Sequence, residues 1–143
     1  MEVGEKMTRN MVTINITATA AEAIEKMQSE RVEIALVLDG SLFKGLVTDH
    51  QIGYGVVASR KDPTKVGVSE FITEEIVTVS PKTNIYETVR VMGIHRHRRL
   101  PVLEGEKPVG IISTAEIAEH ALACNSCMQN IFGELEKTEK DKS

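Results

Sequence analysis

The chain has 143 residues, 41% hydrophobic but only 3% aromatic and without tryptophan, so any core is built from Val, Ile, Leu, Met and Ala. Seventeen Lys and Arg against 21 Asp and Glu give a net charge of −4, which argues against a general nucleic-acid binder. No run approaches the ~18 apolar residues of a membrane span, no secretory signal opens the chain, and two cysteines do not make a disulfide framework, so a cytoplasmic protein is expected.

In chain order, Met11–Ile14 is the first β-prone run. Thr19 with Glu22 three residues on has the form of a capping box, and Ala20, Ile24 and Met27 then recur at helical spacing. A second β-prone run, Ile34 to Leu38, ends at Asp39-Gly40 and opens a hairpin into Gly45-Leu46-Val47-Thr48. A second helix follows from about Asp49. Residues 60–67 are polar with a proline and read as a linker. The pattern then begins again. Ile76–Val79 reads as a strand, Asn84 with Glu87 as a capping box, and Ile85, Val89 and Met92 as a helix face. Arg99 to Leu103, Glu104-Gly105 and Gly110–Ser113 repeat the hairpin, and a last helix starts near Thr114.

The recurrence is literal. Residues 3–53 lie over 68–118 at a constant offset of 65 without a gap, with thirteen identities in 51 positions. Chance gives roughly three at ordinary composition. The chain therefore divides into a first repeat (1–60), a linker (61–67), a second repeat (68–122) and a helical extension with a charged tail (123–143). From the end of the second repeat into that extension, Ile117, Ala121, Cys124, Met128, Ile131 and Leu135 step by 4, 3, 4, 3, 4, a heptad-like seam. Such a seam packs either on its own module or against a second subunit. On the same helix His120, Cys124 and Cys127 share one face, a spacing open to Zn or Fe, to a redox pair, or to buried thiols acting as small apolar groups.

A repeated β-α-β-β-α unit with Gly45-Leu46-Val47-Thr48-Asp49, Asp62-Pro63 before Val68-Ser69-Glu70-Phe71, and Arg98-Arg99-Leu100-Pro101-Val102 resembles the cystathionine-β-synthase (CBS) domain. Two in tandem resemble a Bateman module. The resemblance covers residues 3 to about 120. It implies an α/β fold of the α+β type, two repeats with pseudo-twofold symmetry plus a C-terminal helix, and often a homodimer. It also implies an adenosine-containing ligand (AMP, ADP, ATP or S-adenosylmethionine) in the cleft between the repeats.

Carried over by position, Thr48 and Ser113 take the family's hydroxyl place at a strand-to-helix corner, where amides and the helix N-terminus favour phosphate. A plain helix cap is the alternative for each. Three residues on, where the family usually has a ribose-binding Asp, stand Gln51 and Glu116. Val12, Thr13, Val77 and Thr78 on the first strands line the implied adenine slot. Before the Leu-Pro-Val strand, His97, Arg98 and Arg99 take the family's phosphate position, against Val32, Glu33 and Ile34 in the first repeat. A solvated helix end is the alternative there.

A regulatory, non-enzymatic module that senses an adenine nucleotide and signals to a separate protein is the leading expectation, with one working site in the second repeat. Two others compete: an interaction module with degenerate sites, and a metal or thiol sensor built on His120, Cys124 and Cys127. Nucleic-acid binding ranks last, because the basic run has no interleaved aromatic residue to stack bases.

Overall fold

The computed structural model describes residues 1–73, 76–123, 133, 134 and 136. The first repeat runs β1 (Thr13–Asn15), α1 (Ala20–Glu30), β2 (Ile34–Asp39), β3 (Leu42–Thr48) and α2 (Asp49–Ser59). The second runs α3 (Ile85–His95), β4 (Arg99–Glu104), β5 (Lys107–Ser113) and α4 (Thr114–Ala123). The mixed α and β architecture expected from the sequence is present, and among the described residues no helix is long and apolar enough to cross a membrane.

The hairpins form for the reason the sequence suggests. Gly40 and Gly105 adopt φ of 63° and 65°, a left-handed conformation that costs glycine nothing. β2 and β3 pair antiparallel from Ile34 with Thr48 to Asp39 with Leu42, and β4 and β5 pair equivalently from Arg99 with Ser113 to Glu104 with Lys107. Both ladders carry a bulge at the same place, after Val37 and after Val102. The sheet faces bury Ala35, Leu36, Val37 and Val47 in one repeat, and Leu100, Val102 and Ile112 in the other.

Three local expectations need correction. The first strand starts two residues late: β1 is Thr13–Asn15, parallel to β2 with Thr13 beside Leu36. Its equivalent, expected over Ile76–Val79, shrinks to one parallel bridge between Val79 and Val102. In the first repeat Leu36 donates its N–H to the Val12 carbonyl at 2.9 Å. The equivalent of Leu36 is Pro101, which has no N–H to give Val77. The ladder is therefore cut short. Finally, Thr19 and Glu22 make the expected capping box, whereas Asn84 caps α3 through the Tyr86 amide at 2.8 Å without Glu87.

The described chain forms two compact units that do not follow chain order: one contains residues 11–76, the other residues 1–10 with the chain from Val77 onward. Each repeat's leading segment packs in the unit of the other repeat. Val3 and Met7 sit in a core with Ile85, Val89, Leu100 and Ile112. Val66 and Val68, from the linker and the segment after it, sit in a core with Ile14, Ala20, Val37 and Ile52. The tethering hydrogen bonds match at the 65-residue offset. Val3 N–H donates to Thr83 O (2.8 Å) as Val68 N–H does to Ala18 O (2.9 Å). Ile85 N–H donates to Met1 O (2.8 Å) as Ala20 N–H does to Val66 O (2.9 Å). Within the linker, Asp62 accepts from the Thr64 hydroxyl and amide, which holds its carboxyl below the usual carboxylate range.

Ile117 and Ala121, the first two positions of the heptad-like seam, are buried, and Ile117 belongs to the core of its own unit. Cys124, Met128, Ile131 and Leu135 lie outside the described residues.

Candidate functional site

Each repeat brings a hydroxyl residue to the corner where its hairpin enters a helix. In the first repeat Thr48 caps α2. Its hydroxyl accepts from the Gln51 amide at 3.1 Å, and Gln51 Oε1 accepts from the Thr48 amide at 3.0 Å. Gln51 is engaged at its other end too, donating from Nε2 to Thr73 Oγ1 at 2.7 Å. The Asp49 amide at the same corner donates to the Glu33 carbonyl at 3.1 Å. This corner thus holds Glu33, Asp49 and a fully engaged amide, a poor setting for an anion despite the helix N-terminus.

In the second repeat Glu116 Oε2 accepts from the Ser113 amide at 2.8 Å and from the Ser113 hydroxyl. The Ser113 hydroxyl donates to the side chain three residues on, whereas that of Thr48 accepts from a main-chain amide. The Thr114 amide donates to the Arg98 carbonyl at 3.0 Å, matching Asp49 and Glu33. Arg99 stands directly opposite Ser113 in the β4–β5 ladder, so their side chains share a face. Arg98 and Arg99 are exposed and have no ion pair among the described residues. The predicted Ser113, Glu116, Arg98 and Arg99 are therefore neighbours.

His97 is exposed just before them, its amide donating to the Met92 carbonyl at 3.0 Å and its ring parallel to that of His95 at 6.2 Å. Val77 and Thr78 are half-buried and lead into the Val79 bridge along β4. Val12 and Thr13 hold the same place beside β2, also half-buried, with the Val12 carbonyl already bonded to Leu36.

Sequence reasoning missed Thr73, the partner of Gln51. Its signal was present, because Thr8 and Thr73 are one of the thirteen identities of the repeat.

His120 is 7% exposed, with its ring 6.3 Å from that of Tyr86 and its Nε2 without a hydrogen-bond partner among the described residues. Among the described residues no three His, Cys, Asp or Glu side chains cluster as a metal site. The other two predicted ligands, Cys124 and Cys127, lie outside the described residues. A shallow groove of about 370 Å³ runs along α2, lined by Asp49, His50, Gly53, Tyr54 and Val57, with Tyr54 and Val57 73% and 77% exposed.

Against known proteins, a family model described as CBS domain matches residues 2–52 and 68–123. The CBS domain-containing protein YhcV of Bacillus subtilis is 27% identical over 124 residues, 87% of this chain and 88% of that protein. Among solved structures, Hypoxic Response Protein I with two coordinated zinc ions is 26% identical with a TM-score of 0.76, covering 84% of this chain and 98% of its own. CBSX2 in complex with AMP shares the fold at 22% identity and a TM-score of 0.72, covering 85% of this chain and 96% of its own.

Proposed function

The chain belongs to the CBS-domain family, whose members are regulatory modules, and we propose that it is a non-catalytic sensor of an adenosine phosphate, bound at the β5–α4 corner of the second repeat. One observation carries the reading: the strand pairing sets Arg99 beside Ser113 at a helix N-terminus, next to Arg98 and Glu116. Arg98 and Arg99 suit phosphate oxygens, since guanidinium bonds them bidentately. The helix end adds amide donors of the right polarity. Glu116 supplies an acceptor for ribose hydroxyls, and Val77 and Thr78 line the face for the base. That CBSX2 holds AMP indicates that the fold tolerates such a ligand; the assignment to this corner rests on the residues.

The first repeat's corner is a structural joint in this reading, so binding is one ligand per chain. The signal passes to a separate protein. The chain pairs as a homodimer through exposed apolar residues on its helices, Tyr54 and Val57 on α2 and Leu122 on α4, which is 85% exposed. Val57 and Leu122 are equivalent positions in the two repeats.

A thermal-shift panel of AMP, ADP, ATP, NAD and S-adenosylmethionine tests the function. A ligand at one hundred times its Kd adds about 2.7 kcal/mol to stability. A shift with phosphorylated adenosines is the expected result, and no shift with any member removes the proposal.

A second reading rests on His120, whose buried Nε2, without a partner among the described residues, suits a soft cation. Cys124 and Cys127 follow four and seven residues further on in the sequence, three soft ligands in all, and a related protein binds zinc. Elemental analysis of untagged protein decides it: one Zn per chain, lost together with thermal stability on chelation, supports this reading, and metal-free protein indifferent to chelator ends it.

A further inference from the structure

Thr8 and Thr73 occupy equivalent positions in the segments that lead the two repeats. In the first repeat's unit Thr73 pairs with Leu46 in both directions, at 2.8 and 3.2 Å, five residues before Gln51. From that position its hydroxyl accepts from Gln51 Nε2. In the second repeat's unit Thr8 pairs with Ile111 in both directions, at 2.8 and 2.9 Å, five residues before Glu116. The backbone frame is the same. The Thr8 backbone is therefore held beside the corner of residue 116 as the Thr73 backbone is held beside the corner of residue 51.

The chemistry is not the same. Glu116 turns Oε2 to both Ser113 donors, which leaves its second oxygen free of them. Among the described residues the Thr8 hydroxyl makes no hydrogen bond to that carboxylate, although Thr8 is half-buried and its backbone is locked to Ile111. Where the first repeat closes an amide–hydroxyl bond, the second makes no such bond among the described residues.

We infer that Thr8 is a ligand-binding residue of the second corner, supplied by the opposite end of the chain: its hydroxyl and the free oxygen of Glu116 together hold the hydroxyl pair of a sugar. This rests on the adenosine-phosphate reading of that corner and adds a residue to it. A carboxylate oxygen accepts from one sugar hydroxyl, and the threonine both accepts and donates to the other. Glu116 alone has no donor to offer a sugar. The N-terminal segment then becomes part of the sensor, since a bound sugar ties Thr8 to α4 as Gln51 ties Thr73 to α2.

The full chain and its Thr8→Val variant, titrated with AMP by calorimetry, test the inference. Valine keeps the shape and the backbone pairing while removing the hydroxyl. Affinity for AMP falls about 3- to 10-fold, the loss of one or two ligand hydrogen bonds, while the ligand-free melting temperature is unchanged. Thr8→Ser, which keeps the hydroxyl, retains wild-type affinity. Thr73→Val does the reverse of Thr8→Val, lowering the melting temperature and leaving AMP affinity intact. Equal AMP affinity in wild type and Thr8→Val overturns the inference and leaves the site standing. Failure of the wild type to bind AMP, ADP or ATP overturns the site and the inference with it. Should Thr8→Val not fold, amide exchange on the wild type decides: AMP must slow exchange at Thr8 and Ile111, and unchanged rates there reject the role of Thr8.

Discussion

In the first repeat, the corner where β3 enters α2 is closed by its own side chains: Thr48, Gln51 and Thr73 bond one another beside Glu33 and Asp49. In the second, the corner where β5 enters α4 keeps the same backbone but carries Ser113, Glu116, Arg98 and Arg99. The hairpin register is identical, so the difference is one of side-chain chemistry alone. On one scaffold used twice, the first corner is tied by its own side chains, while at the second Arg98 and Arg99 make no ion pair among the described residues.

The comparison breaks most sharply at the arginines. Arg98→Ala is expected to weaken AMP about tenfold or more, the loss of charge-assisted phosphate bonds, and to leave adenosine binding almost unchanged. Titration of both ligands reads it out, and an equal loss for both refutes the phosphate role. Gln51→Ala comes next. It removes half of a capping box and the tie to Thr73, so stability falls by about 1 kcal/mol in a denaturant melt, with no change in AMP affinity. A matching fall in affinity would mean that the first corner also binds ligand.

Pro101→Leu sharpens the comparison of the two first strands. It restores an N–H opposite the Val77 carbonyl, but the gain of about 1 kcal/mol is offset by the added freedom of the unfolded chain. Net stability then moves by less than about 0.5 kcal/mol. The informative readout is slow amide exchange at position 101, and fast exchange there would show that proline is not what shortens the ladder.

The smallest effect lies in the linker, at Asp62. Its carboxyl is held below the ordinary value by Thr64, so its contribution to stability is present above the unfolded-state pKa of 3.8 and is lost as pH falls through the lower folded-state value. Asp62→Asn should therefore melt slightly earlier than wild type at neutral pH, with the gap closing only in strong acid. A gap independent of pH would remove the ionised carboxylate from the explanation.

Much of this was legible in the chain itself. The 51-residue duplication is visible by direct alignment, and the Asp-Gly and Glu-Gly hairpin turns and the Thr19 cap are local signals, each set by residues a few positions apart, and each formed. The family was legible for the same reason, because its motifs are local runs at fixed spacing. The pairing of Arg99 with Ser113 was within reach of the sequence, since a hairpin with a known turn makes it a matter of counting.

What the sequence could not determine were the contacts between segments distant along the chain. Pro101 is visible in the sequence, but its consequence depends on which strand lies beside it. Thr73 bonding Gln51, and Thr8 standing in the equivalent place over Ile111, follow from each leading segment packing in the other repeat's unit. The strand and helix patterns report only on neighbours within a turn or a hairpin. The sequence alone therefore determined the scaffold, the duplication and the excess of basic residues in the second copy. Only the tertiary structure decided that Thr73 ties Gln51 at one corner and that the Thr8 backbone pairs beside the other, because those outcomes depend on hydrogen bonds formed across the fold.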